Sequence, residues 1–244
     1  MLRMITVVVA LAASAVLAGC GTAAAPTGPT TGEISVVGPP AAVAPVTAPP
    51  DRIMIIRHGE KPDGTAPGVD AEGNEDDSSL TAVGWERAHA LVGLFDPAEG
   101  DPRAGLARPQ TIYAAGVTDE GEGQRTRETV APLADALGLP VNTEYGKGEE
   151  KKLMKDVLEL SGTTLISWQH SEIPALADAF ESVTPAPPQE WPSDRFDVVW
   201  TFTRTPGGWA FTQTPELLLP QDHAGAIEEL TALPRTQRKP CPPS

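Results

Sequence analysis

The 244-residue sequence predicts an α/β fold, a mostly parallel sheet with helices on both faces and a late antiparallel hairpin at an edge. Three observations carry this. The apolar runs at 51–57, 111–115 and 163–168 are near-continuous, the pattern of strands covered on both sides. Stretches with apolar residues every three or four positions stand between them, so strand and helix alternate. Near the end, Phe196, Val198, Trp200 and Phe202 alternate ahead of Pro206-Gly207-Gly208, a hairpin signal.

The chain opens with Arg3, an apolar or small run at 5–17, and Leu17-Ala18-Gly19-Cys20. That run is shorter than the roughly 20 residues a membrane span needs and has the length of a signal-peptide core. The closing tetrapeptide resembles the lipobox of bacterial lipoproteins. The resemblance implies a signal peptide over 1–19, cleavage before Cys20, and palmitate-type acyl chains on that residue. Several chains together give stable membrane residence, so the expected location is the extracytoplasmic side of the cell membrane, lipid-anchored. Residues 20–50 run on Ala, Pro, Thr and Gly with Glu33 as their single charge, a tether that buries no core.

The folded domain is expected over 51–220, with a polar tail over 221–244. Its first strand, 51–57, runs into Arg57-His58-Gly59-Glu60. Residues 64–79, rich in Gly, Asp, Glu and Ser, read as a loop. A helix follows over 80–95, capped by Thr81, with Val83, Arg87, Ala88, Leu91, Val92 and Phe95 on its inner face. The second strand, 111–115, leads through an acidic loop at 116–123 to a helix at 125–137 that Gly138 stops. A short strand at 140–143 precedes a helix at 149–160, with Leu153, Val157 and Leu160 facing inward. The third long strand, 163–168, leads to a helix at 173–180, and the hairpin pairs 195–204 with 209–213.

The formal net charge of −15 argues against nucleic acid and anionic surfaces as partners. There are two cysteines. With Cys20 lipidated, Cys241 has no intrachain partner, so disulfides do not hold the domain together. No spacing of metal ligands stands out.

Chemistry gathers where strands end. In an open α/β sheet the carboxyl ends of strands hold the ligand, and three of them here deliver Arg57 with His58, Arg125, and His170. Two guanidinium forks neutralise a transferring phosphoryl group, while imidazoles handle attack and oxygen contacts. At this point the chain resembles the histidine phosphatase superfamily, which includes phosphoglycerate mutases and acid phosphatases. Arg57-His58-Gly59-Glu60-Lys61 matches the family signature. Leu80-Thr81, Gly84, Arg87 and Ala88 resemble its helix entry, with Arg87 where Gln is usual. Ile112-Tyr113-Ala114 followed by Arg125 and Thr129 resembles its second arginine motif, and 165–170 with Ser171, Ile173 and Pro174 its second histidine motif.

The resemblance implies a phosphoglycerate mutase-like fold and a metal-independent phosphoric monoester hydrolase using no cofactor. His58 is the implied nucleophile, forming a phosphohistidine; Arg57 and Arg125 clamp the phosphate; and His170 polarises a phosphate oxygen. The substrate is a small-molecule or protein phosphate ester. Ala115-Gly116 replaces the usual Ser-Pro, and a longer acidic insertion precedes Arg125; Arg127 lies two residues on, but the Arg-x-x-x-Thr spacing selects Arg125. Glu144, just past the short strand, is the expected proton donor, with Glu172, Asp119, Glu120, Glu122 or water as rivals. The alternative function is a weak or inactive module of the same fold that binds a phosphorylated ligand at the cell envelope.

Overall fold

The computed structural model describes residues 51–228. The expected signal peptide (1–19), lipidated Cys20, tether (20–50), Cys241 and the tail beyond 228 lie outside the described residues.

Four parallel strands make one half of a seven-stranded sheet: β1 (Arg52–Arg57), β2 (Thr111–Ala114), β3 (Val141–Asn142) and β4 (Thr163–Trp168). The other half holds β5 (Val183–Thr184) and the hairpin β6 (Val198–Thr205) with β7 (Gly208–Pro215). The order is β3-β2-β4-β1-β6-β7-β5, with β6 antiparallel to both its neighbours. This is the mixed, mostly parallel sheet that the sequence pattern predicts.

Alternation along the strands divides the core. Ile53 and Ile55 of β1 face one side, with Ile166 and Trp168 of β4; Met54, Ile56 and Leu165 face the other. Helices α1 (Ala82–Phe95) and α2 (Gln124–Leu137) cover the second side through Leu91, Phe95, Val130 and Leu133. Helices α3 (Glu150–Val157) and α4 (Ile173–Ala177) cover the first through Leu153, Val157, Ile173 and Leu176. β1 therefore has no solvent face, and each fully buried Ile contributes about 1.5–3 kcal/mol. Trp168, Trp200 and Trp209 are core residues.

Local chemistry sets the helix ends. The Thr81 side chain accepts from Gly84 N at the start of α1, and Gly138 closes α2 in the left-handed region. Three expectations are corrected. Leu160 lies beyond the end of α3 and is exposed, because the helix stops at Val157. Val83 is exposed too; Gly84 holds the buried position, since a Cβ there would stand 2.5 Å from Glu60 O. α4 ends at Ala177 rather than 180, and the two-residue β5 that follows carries no sequence pattern long enough to announce it.

The chain past 220 is packed as far as it is described. Asp222 pairs with Arg87, His223 N donates to Asp197 Oδ2, and Ile227 is buried in the first core.

Candidate active site

β1 and β4 are parallel neighbours in register, Arg57 opposite Trp168, and His58 N donates to Trp168 O beyond the end of the ladder. Adjacent strand ends thus place His58 and His170 side by side at the carboxyl edge. α2 brings Arg125 to the same place. Its Thr129 hydroxyl accepts from Gly59 N at 2.8 Å and donates to Arg125 O at 2.7 Å. One side chain thereby ties the residue after His58 to the turn that carries Arg125. Thr126 does the same for the second strand, accepting from Ala115 N and donating to Gly123 O. Gly123 sits at φ +85°, and a Cβ there would meet Gly116 O at 2.2 Å, so the loop entering α2 needs glycine.

His58, His170, Arg125, Lys61, Lys147 and Glu122 line one cavity of about 190 Å³. His58 is nearly fully buried and its Nδ1 lies 2.7 Å from Gly59 O. A carbonyl only accepts, so Nδ1 carries the proton and Nε2 keeps its lone pair. Burial, then the Arg57 charge, pushes the His58 pKa down to about 3; burial and the same arginine, with Lys61 and Lys147, bring His170 to about 4. Both imidazoles are neutral at neutral pH.

Arg57 is completely buried and does not line the cavity. Its Nη1 lies within hydrogen-bond distance of the Pro192, Ser193 and Arg195 carbonyls, and its guanidinium stacks 3.6 Å from the Phe196 ring centroid. Nε and Nη2 are buried without a protein partner. Leaving such donors unmet costs about 1–3 kcal/mol or more, so spare donor capacity is held within electrostatic reach of both imidazoles. Burial lowers the Arg57 pKa to about 10, against the raising effect of Glu60 and Asp194, and the group stays charged.

Arg125 is half-buried, with Nη2 on Asp77 O and Nε on Ser79 O. The 64–79 loop therefore orients it, and that loop is braced in turn on α2, where Glu128 accepts from Leu80 N and Ser79 Oγ. Arg127 is exposed.

The proton-donor expectation needs correction. Glu144 is exposed and lies outside the cavity wall. β3 is only two residues long, the Asn142 side chain accepts from Glu144 N, and Gly116 N donates to Tyr145 O, which packs the acidic loop against this turn. That loop carries Glu122 to the cavity instead, 3.9 Å from Lys147 Nζ. Glu172, Asp119 and Glu120 do not line it either. His89 and His223 are exposed away from it.

Sequence reasoning missed Lys147, Phe196 and the 192–195 carbonyls, which stand far from the motifs in the chain. It also left Arg87 unexplained. That side chain is buried and meets Glu60 at 2.7 Å, Glu216 at 2.8 Å and Asp222 at 2.6 Å, so the last strand's exit and the segment after it are pinned to the signature loop. Among the described residues, no group of three His, Cys, Asp or Glu side chains is placed to hold a metal ion.

No family model matches the chain, and no curated protein does. Solved structures do. The protein histidine phosphatase SixA, determined with tungstate, is 16% identical over 68% of this chain and 97% of its own, with a TM-score of 0.43. A mycobacterial glucosyl-3-phosphoglycerate phosphatase is 13% identical over 67% and 97%, with a TM-score of 0.41. These neighbours are members of the histidine phosphatase superfamily. At such identities and scores the likeness carries no weight for activity, which has to come from the side chains.

Proposed function

We infer that the chain is itself a member of the histidine phosphatase superfamily and hydrolyses phosphate monoesters in two steps through a phosphohistidine on His58. The observation that carries this reading is one cavity lined by two neutral imidazoles and Arg125, beside a buried Arg57 with two unpartnered guanidinium nitrogens. In the first step Nε2 of His58 attacks phosphorus and the bond to the ester oxygen breaks, the alcohol leaving with a proton from Glu122 or water. In the second, water attacks phosphorus and passes a proton back to the group that gave one in the first step, the bond from phosphorus to Nε2 breaks, inorganic phosphate departs and neutral His58 returns. The Gly59 carbonyl fixes the tautomer throughout and steadies the charge on the ring. Arg125 and His170 take the charge that spreads over the phosphoryl oxygens, and Arg57, buried behind the cavity wall, adds its positive field. No metal or organic cofactor enters the scheme.

We propose further that the domain is exported and held to the membrane by lipid on Cys20. The leader and the Ala/Pro/Thr tether support this.

The test is the purified chain against 4-nitrophenyl phosphate and a panel of alkyl monoesters. His58→Ala is expected to lose turnover by at least about a thousandfold, and acid-labile phosphate should be trapped on the parent chain alone. Undiminished turnover in the variant refutes the nucleophile. Loss of fatty-acid labelling in Cys20→Ala checks the anchor.

A further inference from the structure

Besides its imidazoles, the cavity is lined by three uncharged polar side chains among the described residues, Thr126, Gln169 and Ser171. Two of them are already occupied. Thr126 Oγ1 bridges Ala115 N and Gly123 O, and Ser171 Oγ donates to Glu172. Gln169 differs. Among the described residues its amide makes no hydrogen bond, and its Oε1 is buried with no partner. A buried acceptor left unmet costs stability, and here no hydrogen bond offsets the cost. Folds carry such a local penalty where a side chain serves a ligand.

The peptide that carries this amide is fixed. His58 N donates to Trp168 O, and the Gln169 carbonyl accepts from Glu172 N at 3.0 Å and Ile173 N at 3.2 Å, which starts α4. The segment that sets His170 beside His58 therefore also fixes Gln169. Its side chain follows Leu165 and Ser167 in the alternation of β4, toward the side of the sheet that α2 covers, and lines the cavity there with Arg125 and Thr126. An amide has two N–H donors at one end and a carbonyl at the other, whereas a phosphoryl group offers acceptors only. With Oε1 turned into the protein, Nε2 is the end left for the cavity. A bound phosphoryl group selects that orientation, because Oε1 would repel its oxygens.

We propose that Gln169 is a further catalytic residue, its Nε2 donating to an oxygen of the transferring phosphoryl group in both steps. This rests on the hydrolase reading above and adds a neutral donor to Arg125 and His170. A donor set in place before charge builds on the oxygen stabilises the transition state more than the bound ester. Being uncharged, it does so without adding another cation beside the two imidazoles.

The test measures kcat/KM of the full chain for 4-nitrophenyl phosphate and ethyl phosphate, alongside thermal melts. Gln169→Met keeps the length of the side chain and removes the amide. It should lower kcat/KM by at least about tenfold, and by the same factor for both esters, because the amide meets the phosphoryl group and not the alcohol. Gln169→Glu puts an acceptor where the donor stood and should lose more. Gln169→Met should also melt no lower than the parent, since it deletes a polar group that the fold leaves unmet. Turnover in Gln169→Met within about twofold of the parent, or a loss accompanied by a lower melt, overturns the proposal, while lost turnover in His58→Ala keeps the hydrolase reading intact. If the parent turns over neither ester, the hydrolase reading fails. Calorimetry with inorganic phosphate then decides this inference alone: binding several-fold weaker in Gln169→Met than in the parent supports it, and equal or absent binding sinks it.

Discussion

Replacing Glu216 by Gln should make the protein more stable at pH 8 and change it little at pH 5. Glu216 is completely buried, one carboxylate oxygen takes Arg87 Nη1 at 2.8 Å, and the other is buried with no partner. Glu60 and Asp222 share the same guanidinium, so three carboxylates meet one positive charge. Burial pushes the Glu216 pKa up from the ordinary 4.5 to about 7, against the pull of Arg87. The unfolded chain releases this proton above about pH 4.5, whereas the folded chain keeps it until about pH 7. Native stability therefore falls as pH rises through that window and no further beyond it. At about 1.4 kcal/mol per pH unit, the loss approaches about 3 kcal/mol.

Gln keeps the shape and the acceptor for Arg87 but cannot ionise. The stability difference between variant and parent should therefore grow by up to about 3 kcal/mol between pH 5 and pH 8. Urea unfolding followed by tryptophan fluorescence at the two pH values measures it, and subtraction removes every group the two proteins share. A difference that is the same at both pH values refutes the assignment of the proton to Glu216.

Thr129→Val removes the acceptor for Gly59 N and should cost about 1–3 kcal/mol for the buried amide left unmet; it should also lower kcat/KM by loosening Arg125 against His58, with Thr129→Ser retaining both in unfolding and kinetic assays. Gly84→Ala drives a methyl to 2.5 Å from Glu60 O, backbone that cannot rotate away, and should lower stability by about 1–3 kcal/mol in thermal melts; a neutral result would refute the close packing of α1 on the signature loop. Nitrogen NMR should find His58 neutral down to about pH 4, because its folded pKa lies near 3. Titration near pH 6.5 would mean that the ring is not buried beside Arg57.

What the sequence determined by itself is whatever depends on near neighbours in the chain. Near-continuous apolar runs made β1, β2 and β4 legible, because a strand buried on both faces is built mostly of apolar residues, with Thr164 and Ser167 the small polar side chains buried inside β4. Thr81 and Gly138 marked helix ends, because caps are made with residues three or four positions away. His58, Arg125 and His170 could be read as candidates because each follows its strand at the edge where α/β sheets bind ligands. The register of β1 with β4 then decides that the two imidazoles are neighbours.

Tertiary structure alone decided the rest, because those contacts join residues with no fixed spacing. Glu122 rather than Glu144 reaches the cavity, since loop closure over a two-residue strand is set by Gly116 meeting Tyr145. Arg57 is anchored by carbonyls of residues 192, 193 and 195, well over 100 positions away. Arg87 gathers Glu60, Glu216 and Asp222 from both ends of the domain. A charge has to be neutralised once it is buried, but nothing along the chain says which distant partner will do it.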